Sequence, residues 1–395
     1  MDDHALSQES ERLLGSVARF YRFFVESRYA LRAGRPGISD FVAGNPQELP
    51  LPEYVEALRR WAVPQRPDWF AYKMSEPEAR SVVAASLREH LALEVRDEDV
   101  MMTTGAIGGL AAAIRVVAGR GDEVIFLSPP WFFYEALILA AGATPVRVNL
   151  PPPTFELDLD AIAAGITDRT RAIVVNSPNN PTGRIYPAES LGALAQLLSG
   201  ESERRGRPIY LISDESYRRI VFGDAQFVTP ARFYPCTLIV YTYGKTLLAP
   251  GQRVGYVAWT ADMPSPDKLR EAFFAVQLGM GFAFPNALLQ HALSDLERLS
   301  IDIKQLERKR DRMVEALRTL GYEVQVPDGT FYVMPRSPIP DDVALMERLA
   351  EMDVFVLPGM LCELPGYFRI SLTATEEMIE RSLPAFETVR KEARA

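Results

Sequence analysis

Short apolar runs and amphipathic stretches alternate along the middle of the chain, from about residue 53 to about residue 260. The runs "DEVIFL", "TPVRVNL", "RAIVVN", "IYLIS", "TLIVYT" and "VGYVAW" are rich in Val and Ile. Continuous apolar runs of this length predict strands buried on both faces. Between them, "EPEARSVVAASLREHLAL", "GGLAAAIRVVAG" and "AESLGALAQLLSG" read as helices. This alternation predicts an α/β layered fold around a largely parallel sheet.

The flanks read differently. The first 35 or so residues mix charge with aromatics in "RFYRFFVESRYALRAGR", predicting a helix and then a loop. In "ISDFVAGNPQELPLP", Gly44 and the prolines mark a boundary. After about residue 266 the pattern is mostly helical. Ile303, Leu306, Arg310, Met313, Leu317 and Leu320 recur at three- and four-residue steps. They describe an amphipathic helix whose one exception, Arg310, has a long aliphatic stem. The segments "YEVQV", "TFYVMP", "DVFVLP" and "YFRISL" predict short strands in a small α+β lobe. The expected division is an N-terminal arm with part of the small domain at 1–48, a large domain at 49–290, and a small C-terminal domain at 291–395.

A chain of 395 residues suits two lobes better than one core. A composition 48% hydrophobic and 24% charged fits a globular enzyme. The net charge of −9 and the lack of a long basic block argue against nucleic acid or an anionic membrane as partner. Cys236 and Cys362 are far apart and show no metal-ligand spacing, which points to a reduced, cytoplasmic protein without a metal. "MDDHALSQESERLLG" lacks the basic-then-apolar order of a signal peptide, and no apolar run approaches a membrane span. His4, His90 and His291 are scattered and read as surface or packing residues.

The chemistry starts from "YGKTLLAPGQRVGY", residues 243–256. A lysine directly after an apolar run can close a phosphate-binding loop, lie on an ordinary turn, or be an amine kept for covalent chemistry. The nucleotide-binding loop needs a glycine five residues before Gly244, where this chain has Ile239. Other apolar runs end comparably: "RAIVV" in Asn176 and "SPNNPTG", and "IYLIS" just before Asp214. Ligands of open α/β sheets bind outside the carboxyl ends of the strands. An amide-rich turn, a carboxylate and an amine are therefore delivered to one edge. "TTGAIGGLAAAIRVVAG" sets a glycine-rich turn before a helix, where free N–H groups hold phosphate. Arg253 adds a charge-assisted contact, and Trp131 in "SPPWFFYEA" offers a face for stacking. An amine, a carboxylate to face a pyridine nitrogen and a phosphate cradle together describe a pyridoxal 5'-phosphate site.

With "NSPNNPTG" (176–183), "DESY" (214–217), "YGKTLLAPGQRVGY" and "FRISLT" (368–373), the chain resembles the class I/II aminotransferases related to aspartate aminotransferase, over roughly residues 40–385. These are fold-type I pyridoxal-phosphate enzymes: a large domain with a mostly parallel sheet flanked by helices, and a smaller α+β domain. The resemblance implies that Lys245 is the Schiff-base lysine and proton carrier. It implies that Asp214 pairs with the pyridine nitrogen, that Asn180 and Tyr217 bond the ring's phenolic oxygen, and that Trp131 stacks on the ring. Thr242, Arg253 and the backbone of Ala106 and Ile107 would bind phosphate, with Tyr72 reaching the phosphate of a neighbouring subunit. Arg369 would grip the substrate α-carboxylate, with Gly44 close by. The resemblance also implies a homodimer with shared active sites, and a ping-pong transfer between an L-amino acid and a 2-oxo acid.

The chain departs from the family at Ala106 and Ile107, where polar side chains are frequent, at Glu76, where glycine is usual, and around Met360 and Cys362. An altered substrate or reaction is a reasonable consequence. The same lysine, aspartate and arginine also serve elimination (lyase), cyclisation or oxidation, since the cofactor supplies the carbanion in all of them. A non-catalytic cofactor sensor is a further class. Arg28, Arg32 and Arg35 suggest an acidic substrate and Phe132, Phe133 and Phe331 an aromatic one; the sequence does not choose.

Overall fold

The computed structural model describes residues 5–394, so His4 lies outside the described residues. A two-residue strand β1 (Ser39–Asp40) precedes the strands of the main sheet. These are β2 (Val100–Thr103), β3 (Glu123–Ser128), β4 (Thr144–Asn149), β5 (Thr170–Asn176), β6 (Tyr210–Asp214), β7 (Thr237–Thr242) and β8 (Gly255–Ala258). They form one seven-stranded sheet in the order β2-β8-β7-β6-β5-β3-β4. The strands from β4 through β3, β5 and β6 to β7 run parallel, whereas β8 is antiparallel to both β7 and β2.

All six apolar runs are strands of this sheet. Two features depart from expectation. The strand β4 lies at the sheet edge and is largely exposed rather than buried on both faces. The strand β2 is not legible locally, because Met101 and Met102 carry little strand preference. It is fixed from outside by its register with β8, Val100 opposite Ala258 and Thr103 opposite Gly255.

The helix Gly105–Val117 is buried on nearly every side, which its Gly, Ala and Ile composition permits. Small residues let it lie close on the sheet. A Cβ added at Gly109 would come 2.9 Å from Val240 Cγ1 of β7 and 3.2 Å from Val257 Cγ2 of β8. That close approach brings the helix N-terminus level with the ends of β7 and β8.

The C-terminal part adds β9 (Tyr332–Val333), β10 (Val354–Phe355), β11 (Leu357–Pro358) and β12 (Phe368–Ser371). An antiparallel sheet has the order β11-β12-β9, and β10 pairs parallel with β1, so residues near 40 pack with the C-terminal part. "YEVQV" forms no strand. Its carbonyls are used elsewhere: the Arg318 guanidinium donates to Val324 O at 3.2 and 2.9 Å, and Arg336 N donates to Glu323 O at 2.8 Å. The predicted stripe lies on the helix Ile303–Leu320, and Arg310 belongs to its buried face. The Arg310 guanidinium lies 4.6 Å from the Phe222 ring centroid and donates to Pro327 O at 3.3 Å. Among the described residues no helix is long and apolar enough to cross a membrane.

Two glycine substitutions test this packing. Gly109→Val overpacks the helix–sheet contact and is expected to destabilise by about 1–3 kcal/mol. In the helix Ala188–Arg205, by contrast, a Cβ at Gly192 would meet only Phe233, at 3.9 Å. Gly192→Ala is therefore expected to stabilise by about 0.5–1 kcal/mol through helix propensity. Melting temperatures moving in opposite directions are the check.

Candidate active site

Two parallel strands end level, Asn176 of β5 opposite Asp214 of β6, and the neighbouring β7 runs on past Val240, which lies opposite Asp214, to Thr242. The segments leaving these strands therefore converge. A cavity opens there, lined by Ala106, Ile107, Trp131, Asn180, Asp214, Tyr217, Thr242, Lys245 and Arg253.

Asp214 is buried, with Oδ2 accepting from Tyr134 Oη at 2.7 Å and Oδ1 from Ser216 Oγ at 2.6 Å and Ser216 N at 3.1 Å. Burial pushes its carboxyl above the usual carboxylate range, against the opposing pull of these donors and of Lys245. No cation forms an ion pair with it among the described residues. Tyr134, which the sequence did not single out, is buried as well, and burial and Asp214 raise its phenol well above its ordinary value. It is thus held as a donor. It lies three residues after Trp131, where a tyrosine opening the helix Tyr134–Ala140 looks like core packing.

Lys245 sits in the one-turn helix Tyr243–Thr246, whose Gly244 N donates to Thr242 Oγ1 at 3.3 Å. Its Nζ lies 5.5 Å from the Tyr217 ring centroid and 5.7 Å from that of Phe331. Neither a hydrogen bond nor an ion pair holds that Nζ among the described residues.

Arg253 is half-buried beyond Lys245, and its Nη1 donates to the Pro250 carbonyl. Burial lowers its pKa, and no carboxylate pairs with it among the described residues. Gly105 has φ +75°, and a Cβ there would lie 2.8 Å from Arg253 Nη2. Glycine thus lets the guanidinium lie against the first turn of the helix Gly105–Val117, beside Ala106 and Ile107. This cradle combines a cation with helix N-terminal N–H groups, as an oxyanion requires.

Arg369 of β12 is only 2% exposed and stands outside the cavity wall but joined to it. Its Nη1 donates to Asn180 Oδ1 at 2.9 Å and its Nη2 to Val42 O at 3.0 Å, while Nε has no partner. Its guanidinium stacks 3.9 Å from the Tyr332 ring centroid, and Tyr217 Oη lies 3.4 Å from Tyr332 Oη. A Cβ at Gly44 would fall 2.5 Å from that Tyr332 hydroxyl and 2.7 Å from Phe331 Cε2, so glycine makes room for both rings. Tyr332 is a second site residue the sequence did not reveal. Tyr72 is not at its own chain's cavity: it is 87% exposed, its ring 4.9 Å from that of Phe284.

The residues fit pyridoxal phosphate. A carboxylate without a cation marks one end, a guanidinium without a carboxylate the other, and a free amine lies in the cavity with them. The cofactor carries a pyridine nitrogen, a phosphate and a carbonyl.

Comparison with known proteins gives the same direction. Residues 37–386 match the family model described as aminotransferase class I and II. The chain is 34% identical over 374 residues to an aspartate/prephenate aminotransferase of Thermus thermophilus, covering 91% of this chain and 93% of that one. It is 29% identical over 364 residues to an aspartate aminotransferase of Thermotoga maritima, covering 89% and 90%. A solved amino transferase of Eubacterium rectale superposes with a TM-score of 0.87 at 29% identity, covering 99% and 97%. The aspartate aminotransferase of Thermus thermophilus with maleate superposes at 0.80 and 29%, covering 98% and 100%.

The Asp214 carboxyl gives a signed pH test. A carboxyl whose pKa is raised on folding stabilises the fold below the ordinary range near 4, and that contribution is lost as pH rises through its folded value. Asp214→Asn removes the titration. In cofactor-free protein, the melting temperature of the variant minus that of wild type is expected to grow more positive from about pH 4 to about pH 8. A difference that is flat or falls contradicts an uncompensated buried carboxylate.

Proposed function

The chain belongs to the class I and II aminotransferases, and from that premise we propose that the cavity around Lys245 binds pyridoxal phosphate and carries an amino group from an L-amino acid to a 2-oxo acid in two half-reactions. The observation that carries this reading is the pair of uncompensated groups, the Asp214 carboxylate and the Arg253 guanidinium, sharing one cavity with a free amine.

When bound, the cofactor supplies a carbonyl that exchanges amines and a ring that accepts the electron pair left by the departing α-proton. The chain's own groups do the rest. Asp214, fixed by Tyr134 and Ser216, would hold a proton on the ring nitrogen. Asn180, whose Oδ1 is taken by Arg369, keeps its amide N–H for the cavity, beside the Tyr217 hydroxyl. Arg253, Thr242 and the N–H groups of Ala106 and Ile107 would hold the phosphate, and Trp131 would stack on the ring. Arg369 holds the substrate carboxylate in a two-pronged grip. Lys245 Nζ, free in the cavity, would be the group that takes the substrate's α-proton and carries it.

The pairing of β1 with β10 supports 1–48 and 291–395 as parts of one small domain beside a large domain at 49–290. Exposed Phe70, Tyr72, Ile107, Phe274, Leu278 and Phe284 support a homodimer in which Tyr72 reaches the partner's phosphate cradle. Buried, unpaired Cys236 and Cys362 support a cytoplasmic setting.

The test is a half-reaction. Purified protein with pyridoxal phosphate is given single L-amino acids without acceptor. Loss of the visible cofactor band with one equivalent of oxo acid is expected, reversed by adding an oxo acid; continuous ammonia release would instead mean elimination or oxidation. Lys245→Ala is expected to keep the cofactor and lose about 10²–10⁴-fold in kcat/KM. Tyr72→Phe, lacking one hydrogen bond to a charged group, is expected to weaken cofactor binding about tenfold in an equilibrium titration.

A further inference from the structure

The walls between Lys245 and Arg369 consist of aromatic rings. Tyr217 and Phe331 lie 5.3 Å apart between centroids, Tyr217 and Tyr332 5.9 Å, and Phe331 and Tyr332 4.9 Å. Phe331 faces Lys245 Nζ, and the Arg369 guanidinium lies 5.6 Å from the Phe132 ring centroid. From Phe132 the rings continue outward. Phe20 of the N-terminal helix Gln8–Glu26 lies 4.8 Å from Phe132, 4.8 Å from Phe133 and 4.3 Å from Phe24. A substrate held by its α-carboxylate on Arg369, with its amine toward Lys245, therefore meets apolar surface.

A second carboxylate on the substrate would need a further cation. Among the described residues the cations lining the cavity are Lys245 and Arg253, each with a task, and Ile107 lies exposed at its edge. Of the nearby arginines, Arg28, Arg32 and Arg147 are engaged in ion pairs. Arg28 pairs with Glu347 at 3.5 Å and Arg32 with Asp353 at 2.5 Å, so two of the three arginines of the arm that suggest an acidic substrate are already paired. Arg147 pairs with Glu363 at 2.6 Å and Glu135 at 3.4 Å. Arg12 and Arg19 border an outer cleft beside Phe20 and Phe132 from exposed positions. An exposed ion pair shifts an equilibrium by no more than about fivefold. Burying a Leu- or Phe-sized side chain shifts it by about ten- to a hundredfold, and a carboxylate against desolvating rings is disfavoured.

Resting on the amino-transfer reading, we propose that the donor is a monocarboxylic L-amino acid with a large apolar or aromatic side chain. That side chain lies against Phe132, under a cover made by Phe20, with the buried rings of Phe331 and Tyr332 behind. This differs from the dicarboxylic aspartate in the names of the relatives.

The experiment uses holoenzyme and follows single-turnover half-reactions with phenylalanine, leucine, alanine, aspartate and glutamate. Phenylalanine or leucine is expected to exceed alanine by about tenfold and aspartate by about a hundredfold in kcat/KM. Aspartate or glutamate reacting fastest overturns the proposal. Phe20→Ala is expected to lower the phenylalanine-to-alanine ratio about tenfold, and an unmoved ratio overturns the cover. Binding of 3-phenylpropanoate and of succinate, read from the perturbed cofactor spectrum, separates the two readings. If no donor reacts, the amino-transfer reading fails, and this pair decides the pocket. Tighter 3-phenylpropanoate supports the apolar wall, and tighter succinate overturns it.

Discussion

Asp214 is buried and Arg253 half-buried, neither has a partner of opposite charge among the described residues, and the surrounding structure holds them that way. Hydrogen bonds alone compensate the carboxylate only in part. Removing water from one charge costs several kcal/mol unless a counter-charge meets it. The architecture that imposes this is rigid: Asp214 ends a central strand, with Tyr134 and Ser216 at its two oxygens. Arg253 is kept against a helix N-terminus by glycines on both sides of the approach. A Cβ at Gly255 would lie 3.0 Å from Gly105 Cα, and one at Gly105 would meet the guanidinium. Stability withheld in this way is returned when a ligand of matching charge binds, because only the folded chain presents both ends at once.

The parts of the site carried by strand ends were legible in the sequence. Asp214, Lys245 and Asn180 come just after apolar runs, and a parallel sheet aligns those ends whatever the loops do. The parts that arrive from elsewhere were not. Tyr332 meets Tyr217 across 115 residues of sequence, and Phe20 reaches Phe132 from a helix whose sequence mixes charge with aromatics. Tyr134 was hidden differently, since a tyrosine opening a helix has no periodic signature separating a carboxylate partner from core filling. The failed strand at "YEVQV" has a related cause. Its alternation is correct for a strand, but Arg318 and the Arg336 backbone claim its carbonyls. Arg310 shows the opposite case, because the helical period placed it inward and the cation did join the buried face.

Arg369 ties these sources together. It stands on β12, reaches Asn180 after β5 with one nitrogen and Val42 near β1 with another, and lies on the ring of Tyr332. Segments from the start, middle and end of the chain thus meet at one guanidinium. A guanidinium only donates hydrogen bonds. Asn180 must therefore turn its oxygen to Arg369, and its amide nitrogen is left to donate toward the cavity that Asp214 and Lys245 share. The group that would grip a substrate carboxylate thereby also fixes which end of an amide faces the cofactor. A carboxylate bound at Arg369 would compete with that amide oxygen for the same nitrogens.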